Sequence, residues 1–223
     1  MTAHRRWLIG SAIAAVAIYV LMWIGYASQW NWLVDLDTAT LDVLHRYGET
    51  RPGWVTAWHV FCTVLGPMAF RLAALVVIVV ALTRRNLRLA LFLVLSVELS
   101  GLLIEIAKRA SDRPRPATAL VFAPSSSFPS GHALGVMVGV LALLTVVWRF
   151  LRAPLRGWLI AVGAVIVIAI GLGRVVLNVH HLSDVIAGWA LGYAHFVACV
   201  LMLQPSAPVT EADETPATPG SAR

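Results

Sequence analysis

Residues 7 to 34 carry no charged side chain, and the run opens behind His4, Arg5 and Arg6. The apolar part of a secretory leader is only about 7–15 residues long, so this stretch reads as an uncleaved first membrane span. A bilayer core takes about 20 predominantly apolar residues per helix, and the same reading divides the rest of the chain. Arginines fence off the further runs. The six expected spans are residues 7–26, 66–83, 87–107, 131–148, 157–177 and 183–203, giving one all-α, polytopic membrane domain over residues 1–203. Composition agrees: 59% of the 223 residues are apolar or aromatic and 13% are charged, against about half and about a quarter in soluble domains. Disorder, a coiled coil and an ordinary soluble enzyme all fit poorly.

The segments between the spans have their own patterns. Residues 54–65 read as a separate helix packed under the others. Leu33, Leu36, Val43, Leu44 and Tyr47 recur at near-helical intervals with Asp35, Asp37, Asp42 and Arg46 between them, which predicts an amphipathic helix lying in the outer interface. Trp30, Trp32, Trp54 and Trp58 lie nearby in sequence, as aromatic residues do at headgroup level. Residues 204–223 are rich in Pro, Thr, Ala and Ser and read as a disordered cytoplasmic tail. Cys62 and Cys199 form neither a spaced framework nor a Cys-x-x-Cys pair, so no disulfide scaffold or zinc site is expected.

Seventeen basic against eleven acidic residues give a net charge of +6, which invites a nucleic-acid partner until the bases are located. They flank membrane spans, so none is expected. With a cytoplasmic N-terminus and alternating spans, eight bases fall in short cytoplasmic loops, Arg5, Arg6, Arg84, Arg85, Arg88, Arg149, Arg152 and Arg156, with Arg223 in the tail. Eight also fall outside: Arg46, Arg51, Arg71, Lys108, Arg109, Arg113, Arg115 and Arg174. That balance violates the positive-inside rule unless some outer bases serve another purpose. Setting aside Lys108, Arg115 and Arg174 restores the bias, eight against five. The expected topology is therefore a multi-pass protein of the inner or plasma membrane with both termini cytoplasmic.

Three polar clusters share the outer face in this topology. Lys108, the only lysine in the chain, begins a basic run with Arg109, Arg113 and Arg115, punctuated by Pro114 and Pro116. The next cluster, Ser125 to His132, reads Ser-Ser-Ser-Phe-Pro-Ser-Gly-His. Ser130 is placed to cap the helix that follows, and the first N–H groups of such a helix bind anions. His132 in its first turn can protonate a departing oxygen. The third cluster comprises Arg174, His180, His181 and Asp184. A carboxylate four residues from His180 can accept from Nδ1 and leave Nε2 free to attack, and His181, three residues away, is not excluded by spacing. Taken singly, each cluster has a plainer reading: a capped helix start, interfacial histidines, a headgroup-contacting basic loop. Their coincidence on one face of a chain this poor in polar residues argues for a site.

Together the clusters resemble the type 2 phosphatidic acid phosphatase, or PAP2, superfamily. Its pattern is Lys, six residues, Arg-Pro; then Pro-Ser-Gly-His; then Ser-Arg, five residues, His, three residues, Asp. Here these are Lys108 with Arg115-Pro116, then Pro129-Ser130-Gly131-His132, then Arg174 with His180 and Asp184. The resemblance implies a PAP2-like six-helix bundle and a hydrolase acting on phosphoric ester or anhydride bonds. It makes His180 the nucleophile of a phosphohistidine intermediate, Asp184 its orienting carboxylate and His132 the acid. Lys108, Arg115, Ser130, Gly131 and Arg174 would hold the phosphoryl group. Two positions depart from the pattern. Gly173 stands in place of the serine, which loses one hydroxyl and is expected to weaken a phosphate contact, and Asn178 replaces a common glycine but tolerates the left-handed backbone.

Phosphoryl transfer asks mainly for positioning and cancellation of charge, which three cations and a helix N-terminus provide; neither a metal nor another cofactor is expected. Glu105 is expected to pair with Lys108 or Arg109 and so steady the lysine, and Glu98, deeper in its span, has no obvious partner. A phosphate site at the bilayer edge suits an amphiphile. By resemblance the substrates are phosphatidic acid, phosphatidylglycerol phosphate, undecaprenyl or another polyprenyl pyrophosphate, or lipid A phosphates, met on the periplasmic or extracytoplasmic side. Three other readings compete. An anion-binding membrane transporter would carry its site near the midplane, with internal repeats. A vanadate-dependent haloperoxidase shares the motifs but not six spans. A non-catalytic PAP2-like protein would not need nucleophile, acid and orienting carboxylate together.

Overall fold

The structure, a computed structural model, describes residues 3–203; the expected disordered tail lies outside them. Among these residues there are helices and no strands. The α-helices are α1 (Ala3–Ala27), α2 (Asn31–Glu49), α3 (Pro52–Val64), α4 (Pro67–Thr83), α5 (Leu87–Leu93), α6 (Ser100–Ser111), α7 (Gly131–Val147), α8 (Ala153–Val176) and α9 (Leu182–Leu203). Among the described residues five stretches are long and apolar enough to cross a membrane: α1, residues Pro52–Thr83, residues Leu87–Ser111, α8 and α9. The fourth expected span is the shorter apolar helix α7. Its 17 residues rise about 26 Å, short of the roughly 30 Å hydrocarbon core.

Helix α7 is the centre of the bundle, packed by α4, α6, α8 and α9. Its Ala133, Leu134, Val136, Val138 and Ala142 have no exposed surface. Lipid tails are as apolar as leucine, so close packing rather than expulsion from water drives such association, and small residues let the helices approach. Gly139 is one: a Cβ there would sit 2.5 Å from the Cβ of Phe70 on α4. The helix at 54–65 exists as α3, and its chain turns at Leu65–Gly66 into α4.

The third span is interrupted. Between α5 and α6 lies a turn of π-helix, Val94–Glu98. His195 of α9 places Nε2 3.1 Å from the carbonyl oxygens of both Leu95 and Ser96 in this turn, a side-chain partner of the kind that sustains a π-bulge in a membrane helix. Glu98, which has no obvious partner in the sequence, is partnered from another helix. Arg71 of α4 donates from Nη2 to the Glu98 carbonyl at 2.8 Å and holds Nε 4.0 Å from its carboxylate. The partner was hidden because it comes from another helix. Glu105 pairs with Arg109 at 2.8 Å on an exposed face, one of the two partners expected, and Lys108 is held elsewhere.

The amphipathic segment 33–47 forms a helix as expected, with one carboxylate off its polar face. Helix α2 covers that segment, but Asp37 is 1% exposed, in line with buried Leu33 and Leu41. Its carboxylate is turned inward, against α9 and the loop after α6.

Candidate active site

Lys108 stands in the last turn of α6. Asp112 closes that helix in the left-handed conformation (φ 42°), its N–H bonded to the Lys108 carbonyl at 2.9 Å. The sequence Arg113-Pro114-Arg115-Pro116 cannot continue a helix. The loop then folds back on the end of α6. Ser127 N–H donates to the Arg113 carbonyl at 2.7 Å, Ser111 Oγ to the Phe128 carbonyl at 2.7 Å and Ser126 Oγ to the Lys108 carbonyl at 3.1 Å. Lys108 Nζ in turn donates to the Ser126 carbonyl. Ser130 ends the loop as the N-cap of α7, Oγ accepting from Ala133 N–H at 3.4 Å, while its own N–H donates to the Asp184 carbonyl at 2.9 Å. That last bond ties the start of α7 to the start of α9.

These connections leave a cavity of about 500 Å³ whose wall includes Lys108, Arg115, Gly131, His132, Arg174 and His180. Six of the eight residues singled out from the sequence therefore face one space. The other two, Ser130 and Asp184, are fully buried behind it. The cavity's remaining wall was not foreseen: His59 and Thr63 of α3, Met68 of α4 and Phe122 of the loop also line it. Phe122 is 90% exposed, so the opening has an apolar side.

His180 lies between the cavity and Asp184. Its Nε2 is 3.3 Å from Arg115 Nη1, and its Nδ1 is 3.5 Å from Asp184 Oδ2. His181 Nδ1 is nearer that oxygen, at 3.2 Å, and its backbone N–H donates to it at 2.8 Å. Spacing left the two histidines open, but location separates them. His181 lines a different cavity, of about 430 Å³, together with Tyr26, Asp37 and Arg113. Burial, above all, pushes the His180 imidazole down to about 4, with Arg115 and Arg174 adding to the shift; the hydrogen bond and charge of Asp184 oppose it. At neutral pH the ring carries no charge and Nε2 keeps its lone pair.

The cations are unequally committed. Arg115 donates to the carbonyls of Ser125 (3.0 Å), Val179 (2.6 Å) and Pro124 (2.9 Å). Arg174 is 6% exposed, and among the described residues its buried Nε has no hydrogen-bond partner. A buried guanidinium N–H left open is costly unless an anion completes it. Among the described residues no group of three or more His, Cys, Asp or Glu side chains could hold a metal ion.

Residues 89–207 of the chain match the PAP2 superfamily. The chain belongs to that superfamily. Among curated relatives, phosphatidylglycerophosphatase B of Bacillus subtilis is 30% identical over 150 residues, 66% of this chain and 74% of the relative. Undecaprenyl-diphosphatase of Sulfolobus acidocaldarius is 34% identical over 116 residues, 49% of this chain and 52% of the relative. Lipid A 1-phosphatase of Rhizobium johnstonii is 36% identical over 114 residues, 45% and 42%. The chain thus spans about half or less of the last two. The fold is that of the crystal structure of the first transmembrane PAP2-type phosphatidylglycerolphosphate phosphatase from Bacillus subtilis, with a TM-score of 0.76 at 20% identity, covering 90% of this chain and 99% of that one.

The two departures from the PAP2 pattern have local explanations. At Gly173 a Cβ would lie 2.6 Å from Cys62 Sγ and 2.8 Å from Trp58 Cε3, so α3 packs where the serine side chain would begin. Asn178 adopts φ 53° and accepts from Thr118 Oγ1 at 2.9 Å, pinning the turn before His180.

Proposed function

We propose that this chain is a membrane-embedded phosphatase that removes phosphomonoester or pyrophosphate groups from lipids through a phosphohistidine intermediate, without a metal. The broader statement, a PAP2 membrane lipid phosphatase that hydrolyses phosphoester bonds, rests on family membership and on the three curated relatives. The finer one rests on a single observation: Lys108, Arg115 and Arg174 share one cavity with His132 and His180, of which His180 alone has Asp184 behind it.

In this reading the three cations and the N–H groups at the start of α7 take the phosphoryl oxygens. Neutral His180 attacks phosphorus through Nε2, and the bond to the lipid oxygen breaks as His132 gives that oxygen its proton. Water then enters from the side the lipid has left, His132 takes a proton from it, and the N–P bond breaks to release inorganic phosphate. Asp184 holds the imidazole by Nδ1–H and balances the charge that the ring gains on phosphorylation.

Phosphatidic acid, phosphatidylglycerol phosphate and polyprenyl pyrophosphates are the substrate classes. The apolar lip at Met68 and Phe122 supports a lipid tail beside the phosphate cage. The arginine distribution supports cytoplasmic termini and a site on the extracytoplasmic side. The test is phosphate release from a panel of lipid phosphates in detergent micelles with EDTA present. Turnover by the wild type and its loss in His180→Ala are expected. Dependence on added metal, or turnover unchanged in His180→Ala, would contradict the mechanism.

A further inference from the structure

Behind His180 lies a buried polar network that the motifs do not describe. Arg113 donates from Nη1 to Asp184 Oδ1 at 2.6 Å and to Ser183 Oγ at 2.7 Å, and from Nη2 to Asp37 Oδ2 at 2.9 Å. Asp37 accepts from the Ser183 backbone N–H at 3.0 Å and from its hydroxyl at 2.5 Å. Asp37, Arg113, Ser183 and Asp184 are all at least nine-tenths buried, and Arg113 is further held over the Tyr26 ring, 4.5 Å from its centroid. Asp37 sits on α2, outside the residues matching the superfamily.

The division of labour on Asp184 is informative. Arg113 occupies Oδ1, so Oδ2 alone faces His180, His181 and the Ser127 hydroxyl. A guanidinium paired only with Asp184 would be free to draw that carboxylate toward itself and cancel its charge. Asp37 takes the other arm of the fork and supplies a second negative charge, so the three ionised groups sum to −1 rather than zero. It also grips the first turn of α9, which carries Asp184.

We infer that Asp37 is a positioning residue for the reaction, acting through Arg113 and Ser183 to fix Asp184 Oδ2 on His180 and to keep its charge available to the imidazole. The inference rests on the proposed role of His180, and its test separates the two. Steady-state kcat and KM on phosphatidic acid micelles are measured from pH 3.5 to 8 for wild type, Asp37→Asn, Asp35→Asn and His180→Ala. Thermal unfolding of each is followed in the same detergent. Asp35 is exposed on the same helix and serves as control.

A small displacement of a catalytic group costs up to about a hundredfold in rate. Asp37→Asn is therefore expected to lower kcat ten- to a hundredfold, with KM changed little because the phosphate cage is untouched. Its residual activity carries the informative readout. The groups facing His180 are Asp184 on α9, Arg115 and Ser127 in the loop after α6, Lys108 on α6, His132 on α7 and Arg174 on α8. Removing one negative charge behind this mostly cationic set disfavours the imidazolium, so the acid limb of kcat/KM moves to lower pH. A merely misfolded fraction scales the rate equally at every pH and leaves the limb in place. Unchanged kcat, or a fall in kcat with the acid limb unmoved, overturns the role of Asp37 while His180→Ala remains inactive. An active His180→Ala instead overturns the reading beneath it.

Discussion

Gly188 is where a single methyl tests whether the chemistry depends on the register of two helices. It lies one turn after Asp184 on α9, and a Cβ there would meet the Ser130 carbonyl oxygen at 2.6 Å, the Ala133 Cβ at 2.9 Å and Leu134 N at 3.3 Å. These are the first residues of α7, the helix that carries His132, and two of the three atoms are backbone, which cannot rotate away. To restore an ordinary contact of about 3.4 Å, α7 and α9 must separate by about 0.8 Å at this point. The bond from Ser130 N–H to the Asp184 carbonyl stretches with them.

Overpacking of this kind costs about 1–3 kcal/mol in stability, and a shift approaching 1 Å between catalytic groups costs up to about a hundredfold in rate. Gly188→Ala is expected to lose both, read as kcat on a lipid phosphate and as the midpoint of thermal unfolding in detergent. Gly10→Ala is the matched control: it makes the same chemical change within α1, where nothing lies within 4 Å of the added Cβ. That variant should be neutral or slightly stabilising, since alanine is the better helix former by about 0.5–1 kcal/mol. Wild-type kcat and unfolding temperature in Gly188→Ala would show that α7 and α9 are not held in this register.

Three further outcomes follow from the same structure. His180 is held at about 4 when folded and returns to about 6.5 when unfolded, so between these values the unfolded chain binds the extra proton; the contribution is full above pH 6.5, and the midpoint of thermal unfolding should fall as pH is lowered from 6.5 to 4, less so in His180→Gln. Arg71→Met leaves Glu98 without its cross-helix partner at membrane depth and should destabilise by about 2 kcal/mol, with Arg71→Met/Glu98→Gln recovering part of the loss in the same unfolding measurement. Arg109→Ala breaks an exposed pair with Glu105 worth less than about 1 kcal/mol; if Lys108 is held by the Ser126 carbonyl as described, KM for a lipid phosphate stays at the wild-type value.

What the sequence made legible were features fixed by local rules. Apolar length marked the helices long and apolar enough to cross a membrane, Ser130 ahead of Gly131 marked a helix cap, and the left-handed tolerance of Asn178 matched its φ of 53°. What it hid were cross-helix partners. Glu98 and Arg71 are 27 residues apart and Asp37 and Arg113 are 76 apart, and no periodicity within one helix announces such a pair. A signal for Asp37 did exist: Leu33, Asp37 and Leu41 lie at intervals of four, so a carboxylate in register with two leucines shares their buried stripe. The wider amphipathic pattern, with Asp35 and Asp42 exposed, obscured it. Spacing from Asp184 did not choose between His180 and His181, because both reach that carboxylate; only the resemblance to the PAP2 pattern favoured His180, and the path of the loop is what turns that ring toward the cations.

The most direct measurement is the site of covalent phosphate. Brief mixing of the enzyme with a phosphorus-32-labelled lipid phosphate, an alkaline quench that preserves N–P bonds and mapping by mass spectrometry should find the label on His180 and nowhere in His180→Ala. Label on His181, or rapid turnover with no labelled histidine at any mixing time, would contradict the mechanism proposed for this cavity.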